Sequence, residues 1–484
     1  MAKLKNIIKQ LAPADYDAIH KHLSESSADK SAYLMKAMRE KHLTDAKIME
    51  ELDVNTNAYY TLRSRLNQKI EEYLLQQMES PRTDLLKKVS NINETVFTKK
   101  RAISIATLKK LEKELHDYDL QNELTVVYKT LKKLHINSPD HYTYSQAYNR
   151  HVAFMLAIDK AEDMLADYFK KFGSYSLTGN ADEKLGLVLL QEEMNNASKL
   201  YDSRRMYVYK SCMNIFHRLF VEEEKMQDDI APIEDIFKEV EDIFESYKLD
   251  SIYYHLEIVI DFLKLEYYNH YKVFKKAEKY YEDVNEYKGI LLANYSLYTY
   301  PAQFLSTKIE RALRLNLESK LYEENDGVFE EFENDPDDIP KYINYVMYRA
   351  LSCYYVDKYQ EASKWINNLI NDLTMKKYPY ASLEIKSVLA LQYCLLGEID
   401  LFNQLVSSIQ RQLRLLGKEN YEHILLFTKI LKTAVSDAKR DKPQKIKSYA
   451  LRLAAETESR KIFSPTKHIK FDDKLIKALC KIGE

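Results

Sequence analysis

The scarcity of glycine constrains this chain more than any other feature of its sequence. Only 8 of its 484 residues are glycine, whereas average usage of about 7% would give about 34. Glycine supplies the left-handed backbone of tight turns and lets a main chain approach phosphate closely. The scarcity therefore argues against a glycine-rich phosphate loop and against most nucleotide-dependent enzymes. We expect an all-α protein in which helices pack on helices.

Charge and hydrophobicity further limit the functions that this chain can have. The chain has 45% hydrophobic and 30% charged residues and a formal net charge of -2. It can therefore bury a core, and it has no overall attraction for nucleic acid or membrane. Basic residues outnumber acidic ones over 431–484, whereas 222–245 and 323–338 are acidic. These stretches are either solvated surfaces or docking surfaces of opposite sign.

Cysteine usage and hydropathy bear on the compartment. Cys212, Cys353, Cys394 and Cys480 are widely separated, so we expect reduced thiols and no paired-cysteine zinc site. The amino-terminal stretch lacks the apolar run of a signal peptide. No segment approaches 18 consecutive apolar residues. We expect a cytoplasmic protein that does not bind membrane.

Helical periodicity and chain breaks divide the sequence into four predicted regions. They are a small helical domain over 1–80, helical hairpins without a repeat signature over 85–250, repeats over 251–430, and a basic helical cap or tail over 431–484. We predict breaks between helices at 137–140, 173–182, 335–338 and 417–420, where glycine, proline, asparagine and aspartate cluster.

Three stretches repeat one pattern of small and aromatic residues. Counted from a usually small residue at position 20, apolar or aromatic residues recur at positions 8, 11, 17 and 24. The copies are Leu265, Tyr268, Phe274, Ala277 and Tyr281; Ala350, Cys353, Tyr359, Ala362 and Ile366; and Ala390, Tyr393, Ile399, Phe402 and Val406, with Gly397 between the two helices. The pattern resembles the tetratricopeptide repeat, a pair of antiparallel helices, over about 250–415. The resemblance implies an α-solenoid of helical hairpins.

The copies depart from that family in two ways. The interval from Ala362 to Phe402 is longer than the family period of about 34 residues. Position 8, usually glycine, is Leu265, Ala350 or Ala390, and Phe402 replaces the small residue of the third copy. The resemblance therefore implies degenerate, lengthened repeats, and the alternative is chance repetition among tyrosine-rich helices.

The resemblance also implies a binding surface. Arrays of this kind bind along a concave surface lined by the first helix of each repeat. By this register we expect binding of a protein or peptide by Phe262, Glu266, Asn269, Asn344, Met347 and Tyr354, and the third copy adds Glu384. The concave positions lack lysine and arginine, which favours a helix or an extended peptide over an acidic carboxyl-terminal peptide. The alternative is that these side chains are packed inside the array.

A second motif lies within 45–66. Its apolar positions match those of a helix-turn-helix at Ile48, Leu52, Val54, Tyr59 and Leu62. The run from 60 to 66 resembles the recognition helix of sigma-factor and response-regulator DNA-binding domains. By this resemblance the residues that would contact DNA are Asn55, Thr56, Asn57, Tyr60 and Thr61 at base edges or phosphates, with Arg63 and Arg65 toward phosphates.

Two features weaken the DNA-binding hypothesis. Met49 stands where the motif usually has alanine, and Asp53 stands where it usually has glycine. Residues 1–80 also carry equal numbers of basic and acidic side chains, which is unfavourable for binding phosphate. The alternative is a helical hairpin within a small bundle.

Signals for catalysis are weak. The chain has no His-Glu-x-x-His, P-loop or Gly-x-Gly-x-x-Gly motif. Asp17, His20 and His22 cluster on a predicted helix, which we interpret as a surface coincidence. We expect a non-enzymatic protein- or peptide-binding scaffold without metal or cofactor. The alternative is a transcriptional regulator in which 1–80 binds DNA and the array senses a partner or self-associates.

Overall fold

All regular structure in the described part of the chain is helical. The computed structural model describes residues 4, 8, 11, 13–26, 28–40, 45–77, 81–201, 203–222, 232–246, 251–329, 338–416, 421–436, 441–458 and 462–482. No β-strand occurs among these residues. The all-α class expected from the scarcity of glycine is confirmed.

The chain forms two compact units. Unit 1 comprises Met1–Tyr144 and Leu249–Ser251, and unit 2 comprises Ser145–Lys248 and Ile252–Glu484. The domain boundaries predicted near residues 80, 250 and 430 stay predictions.

Unit 1 is built from short amphipathic helices. They are α1 (Pro13–Glu25), α2 (Asp29–Glu40), α3 (Asp45–Glu51), α4 (Thr56–Gln77), α5 (Pro81–Ser90), α6 (Ile92–Thr98), α7 (Arg101–Asp117) and α8 (Gln121–Leu134). In α7, Leu108, Leu111 and Leu115 lie on one face because three- and four-residue steps return to the same side of a helix. That buried face packs against α8.

The helix α9 (Asp140–Thr178) begins in unit 1 and continues into unit 2. The other helices of unit 2 are α10 (Ala181–Leu200), α11 (Arg204–Phe220), α12 (Ile233–Ser246), α13 (Ser251–His270), α14 (Phe274–Glu286), α15 (Lys288–Asn294), α16 (Gln303–Leu315), α17 (Lys320–Glu323), α18 (Asn325–Val328), α19 (Ile339–Tyr355), α20 (Tyr359–Asp372), α21 (Pro379–Leu396), α22 (Ile399–Leu416), α23 (Glu422–Val435), α24 (Lys442–Glu458) and α25 (Asp473–Cys480). Two short 3-10 helices cover Met375–Lys377 and Pro465–His468.

Packing in unit 2 follows the order of the chain. Helix α19 packs on α20, α20 packs on α21, and α21 packs on both α22 and α23. A helix that contacts its own partner and the next hairpin is compatible with a helical repeat array.

The turns of the three predicted repeat copies share one backbone feature. Lys272, Asp357 and Gly397 have φ angles of 57°, 60° and 75°. All three occupy the same register position, seven residues after position 8 of their copy. The left-handed conformation favours glycine, yet only the third copy has one. The copies therefore keep the turn geometry without the residue type that would reveal it in the sequence.

The break predicted over 173–182 is largely wrong. Helix α9 continues to Thr178, and the chain turns only at Gly179, where φ is 64°. Gly173 instead lies inside α9, where a Cβ atom would stand 3.1 Å from the Cβ of Pro340. This glycine permits a close approach and does not make a turn. The predicted breaks at 335–337 and 417–420 lie outside the described residues.

Ala362 offers a test of the close packing in unit 2. Its side chain is fully buried in the hydrophobic core, so a larger group has to displace neighbours at a cost of about 1–3 kcal/mol. We expect Ala362→Leu to lower the melting temperature clearly, whereas Lys364→Ala, an exposed position on the same helix, should leave it unchanged. Equal melting curves for the two variants would contradict the close helix crossing.

Candidate functional site

Unit 2 contains an open cavity of about 1040 Å³. We call it the cavity. Its walls come from α9, α10, α11, α13, α14, α16, α19 and the chain between 462 and 467. Its polar lining includes Glu266 and Asn269 of α13, Thr307 and Glu310 of α16, Asn344 of α19 and Lys467. Residues three or four apart share one face of a helix, which explains why α13 and α16 each present several polar side chains here.

Glu266 is a buried acid at the cavity wall. Only 4% of its surface is exposed, and Thr307 Oγ1 donates a hydrogen bond to its Oε1 at 2.5 Å. Burial raises the pKa of Glu266 to about 8, because a charged carboxylate loses hydration there. At neutral pH most molecules therefore carry a protonated Glu266, whose carboxyl group can donate as well as accept a hydrogen bond.

A second acid of the cavity is ionised. Lys467 Nζ lies 2.7 Å from Glu310 Oε1. Burial alone would raise the pKa of Glu310, but its ion pair with Lys467 outweighs burial and holds that pKa below its usual value. Two acids of the cavity therefore differ in charge, since Glu266 is mostly neutral and Glu310 is ionised.

The six predicted peptide-binding residues fall into two groups. Glu266, Asn269 and Asn344 line the cavity, and Asn344 Nδ2 donates to Tyr300 Oη at 3.2 Å and to the Pro340 carbonyl at 2.8 Å.

The other three, Phe262, Met347 and Tyr354, are buried in hydrophobic core. The Phe262 ring packs on Phe304, and the Tyr354 ring packs on Tyr355 and Tyr359. For these three, the structure matches the alternative of packing inside the array. The reason is that neighbouring elements pack against α13 and α19 on more than one side. Some positions that the repeat register assigns to the concave surface therefore lie in the hydrophobic core.

Residues 462–472, which we call the 462–472 segment, cover Glu384 of α21. Glu384 has no exposed surface. Its carboxylate accepts hydrogen bonds from Ser464 Oγ at 2.9 Å, Thr466 Oγ1 at 2.7 Å and the Thr466 amide at 3.2 Å. His423 Nε2 lies 2.8 Å from the same carboxylate. Burial alone would raise the pKa of Glu384, but these hydrogen bonds outweigh burial and lower it.

These contacts could not be predicted from a sequence motif. Glu310, Glu384 and Lys467 are far apart along the chain, and no motif or spacing links them. The one available signal was the polar run from 464 to 468, which includes two hydroxyl side chains and a histidine within a helix-rich region.

The helix-turn-helix candidates lie in unit 1. Helices α3 and α4 are joined by residues 52–55, and Asp53 has a φ angle of 48°. Its left-handed backbone supplies what glycine usually supplies at that position. The apolar residues Ile48, Leu52 and Tyr59 are buried.

The candidate DNA contacts occupy different environments. Asn55 Oδ1 accepts from the Ala58 amide at 2.8 Å and so caps α4. Tyr60, Thr61 and Arg65 are exposed. The Arg63 guanidinium lies 5.6 Å from the centroid of the Tyr59 ring. The side chains of Thr56 and Asn57 lie outside the described part of the structure.

Within the residues that the structure describes, no helix combines the length and apolar character needed to cross a bilayer. Nor do three or more His, Cys, Asp or Glu side chains in that part of the chain group as metal ligands. No protein family, curated protein or solved structure matches this chain.

His468 makes the stability of unit 2 depend on pH. Burial lowers its pKa to about 3, with Lys467 acting in the same direction and Glu310 and Glu384 opposing it. The unfolded chain takes up a proton below about pH 6.5, whereas the folded chain does so only near pH 3. Stability contributed by His468 is therefore present above about pH 6.5 and is lost as the pH falls toward 3.

We expect His468→Gln to reduce the loss of stability between pH 6.5 and 4 by up to about 1.4 kcal/mol per pH unit. Urea unfolding followed through Trp365, the one tryptophan of the chain, measures this. Exposed Lys477→Ala serves as the control. An acid dependence that is the same in His468→Gln and in the wild type would contradict the buried neutral imidazole.

Proposed function

We propose that unit 2 is a binding scaffold that holds an extended segment of a partner protein in the cavity. The observation that carries this proposal is that Glu266 and Asn269 of the first repeat copy and Asn344 of the second line a single cavity. The same three residues occupy concave positions in the register of the peptide-binding repeat family that the sequence resembles.

The chemistry of the cavity supports a peptide. Its volume of about 1040 Å³ lies at the upper end of the usual range for small-molecule sites, about 300–1000 Å³. Asparagine amides and a neutral carboxyl group both donate and accept hydrogen bonds, as a peptide backbone requires. The aromatic rings of Phe172 and Tyr300 add apolar wall.

The repeat interpretation supports the same function. Three copies share a left-handed residue at one register position, and α21 contacts both its own partner and the next hairpin. A tetratricopeptide-like array with these features would present its first helices toward a bound segment.

The cavity asparagines provide the test. We expect Asn269→Ala and Asn344→Ala each to reduce recovery of the partner from native-host lysate at least tenfold, because each removes a hydrogen-bonding group from the wall. Asn403→Ala, at an exposed position of α22, is the matched control. Thermal melts run beside the pull-down should show folded variants. Full partner recovery by well-folded cavity variants would contradict the proposal.

A second candidate function is DNA binding by unit 1. The observation that favours it is the left-handed Asp53 between α3 and α4, together with the exposed side chains of Tyr60, Thr61 and Arg65. We propose it only as an alternative, since 1–80 carries as many acidic as basic residues. Under this alternative the protein is a transcriptional regulator, and unit 2 senses the partner or self-associates.

Salt dependence tests the DNA candidate. We expect Arg63→Ala combined with Arg65→Ala to weaken binding to duplex DNA about equally across sequences. The slope of log affinity against log salt should flatten by up to about two units, near one for each lost phosphate contact. If the wild-type chain fails to retard mixed genomic fragments at low salt, DNA binding by unit 1 is excluded.

A further inference from the structure

The 462–472 segment is held by a set of polar contacts that differs from ordinary core packing. Ser464, Thr466 and His468 are at most 4% exposed, although burying polar groups is costly unless they are hydrogen-bonded. Ser464 and Thr466 are both bonded to one carboxylate, that of Glu384, which is itself fully buried. The hydroxyl groups of Ser464 and Thr466, two residues apart in the sequence, thus both donate hydrogen bonds to the carboxylate of Glu384.

Backbone groups of the segment are bound as well. The Phe463 amide donates to the Ser176 carbonyl of α9 at 3.0 Å. Tyr355 Oη of α19 donates to the His468 carbonyl and accepts from the Lys470 amide, the latter at 3.3 Å. Tyr355 thus binds the main chain at the end of the 3-10 helix Pro465–His468 and just beyond it.

The charges of the segment and its surroundings are complementary. Lys467 pairs with Glu310 at 2.7 Å, and Lys470 pairs with Glu318 at 3.1 Å. Both acids lie on or just after α16. Cations along the segment therefore meet acids along the array. We call the surface formed by Glu310, Tyr355 and Glu384 the inner groove.

The inner groove and the cavity are continuous. Residues Ile462, Phe463, Ser464 and Lys467 of the segment form part of the cavity wall. Glu310 faces both, since it lines the cavity and pairs with Lys467. The segment consequently occupies one end of a longer binding surface, and the open cavity is the remainder.

We propose that the 462–472 segment is an intramolecular occupant of the inner groove and that a partner binds by displacing it. This inference rests on the proposed function. The partner fits when it presents a stretch that forms the same 3-10 turn, with two hydroxyl residues spaced two apart and followed by lysine, as in Ser464, Thr466 and Lys467. Glu384 receives the hydroxyl groups and Glu310 receives the lysine.

Tethering explains why the resident segment would control access. A segment on the same chain competes intramolecularly, at an effective concentration set by the chain that joins it to the groove, so an outside peptide has to overcome it. Weakening the segment without altering the groove should therefore raise the apparent affinity for an outside peptide.

The experiment uses the full chain and a labelled synthetic peptide with the sequence of residues 462–472. Fluorescence anisotropy measures its affinity for the wild type and for Ser464→Ala combined with Thr466→Ala. We expect the double variant to bind at least tenfold more tightly than the wild type. Adding Glu384→Gln to the double variant should remove the gain, and a peptide of scrambled sequence should show none.

A second variant of the segment keeps the proposal testable if the first variant folds poorly. Lys467→Ala combined with Lys470→Ala removes two ion pairs of partly exposed side chains and should also raise the affinity. The proposal is overturned if neither folded variant gains affinity, or if the scrambled peptide binds equally well. In that case the partner recovery lost by Asn269→Ala would still support the proposed function, so the two failures are distinguishable.

Discussion

The buried carboxylate of Glu384 is the interaction on which the centre of unit 2 depends. A fully buried carboxylate is destabilising unless its lone pairs are occupied. Here the partners come from three places along the chain: α21 itself, α23 through His423, and the 462–472 segment through Ser464 and Thr466. Satisfying one acid therefore joins α21 and α23 to a distant part of the chain.

Polar contacts with the 462–472 segment continue on both sides of Glu384. Tyr355 binds the main chain of the segment on one side, and Glu310 binds Lys467 on the other. Beyond Glu310 the surface opens into the cavity, where Glu266 is buried and mostly protonated at neutral pH. A surface of hydrogen-bonding groups, partly filled by a segment of its own chain, is the physical basis of the function proposed for unit 2.

Local features of the fold could be predicted from the sequence, because they depend on periodicity. The helices around Ile48 and Tyr59 follow from the spacing of apolar residues. The all-α class follows from the scarcity of glycine. Gly173 could not be understood that way, because its role is to let α9 approach Pro340, a tertiary contact. Lys272 and Asp357 likewise adopt left-handed backbone conformations. A lysine or an aspartate in the sequence does not indicate such a turn.

Part of the candidate site could be predicted from the sequence. The repeat register led to Glu266, Asn269 and Asn344, which do line one cavity. It also led to Phe262 and Met347, which are core residues, because a register gives the face of a helix but not what covers that face. Lys467 and its partner Glu310 are separated by more than a hundred residues, and only the fold brings them together.

Hydrogen exchange of the backbone amides from 463 to 470 tests most directly whether Glu384 holds the segment in the inner groove. We expect slow exchange at Thr466 and Lys470 in the wild-type chain, since both amides are hydrogen-bonded. In Glu384→Gln their exchange should accelerate at least tenfold, while α19 and α20 keep wild-type protection. Unchanged protection from 463 to 470 in a folded Glu384→Gln protein would contradict the account.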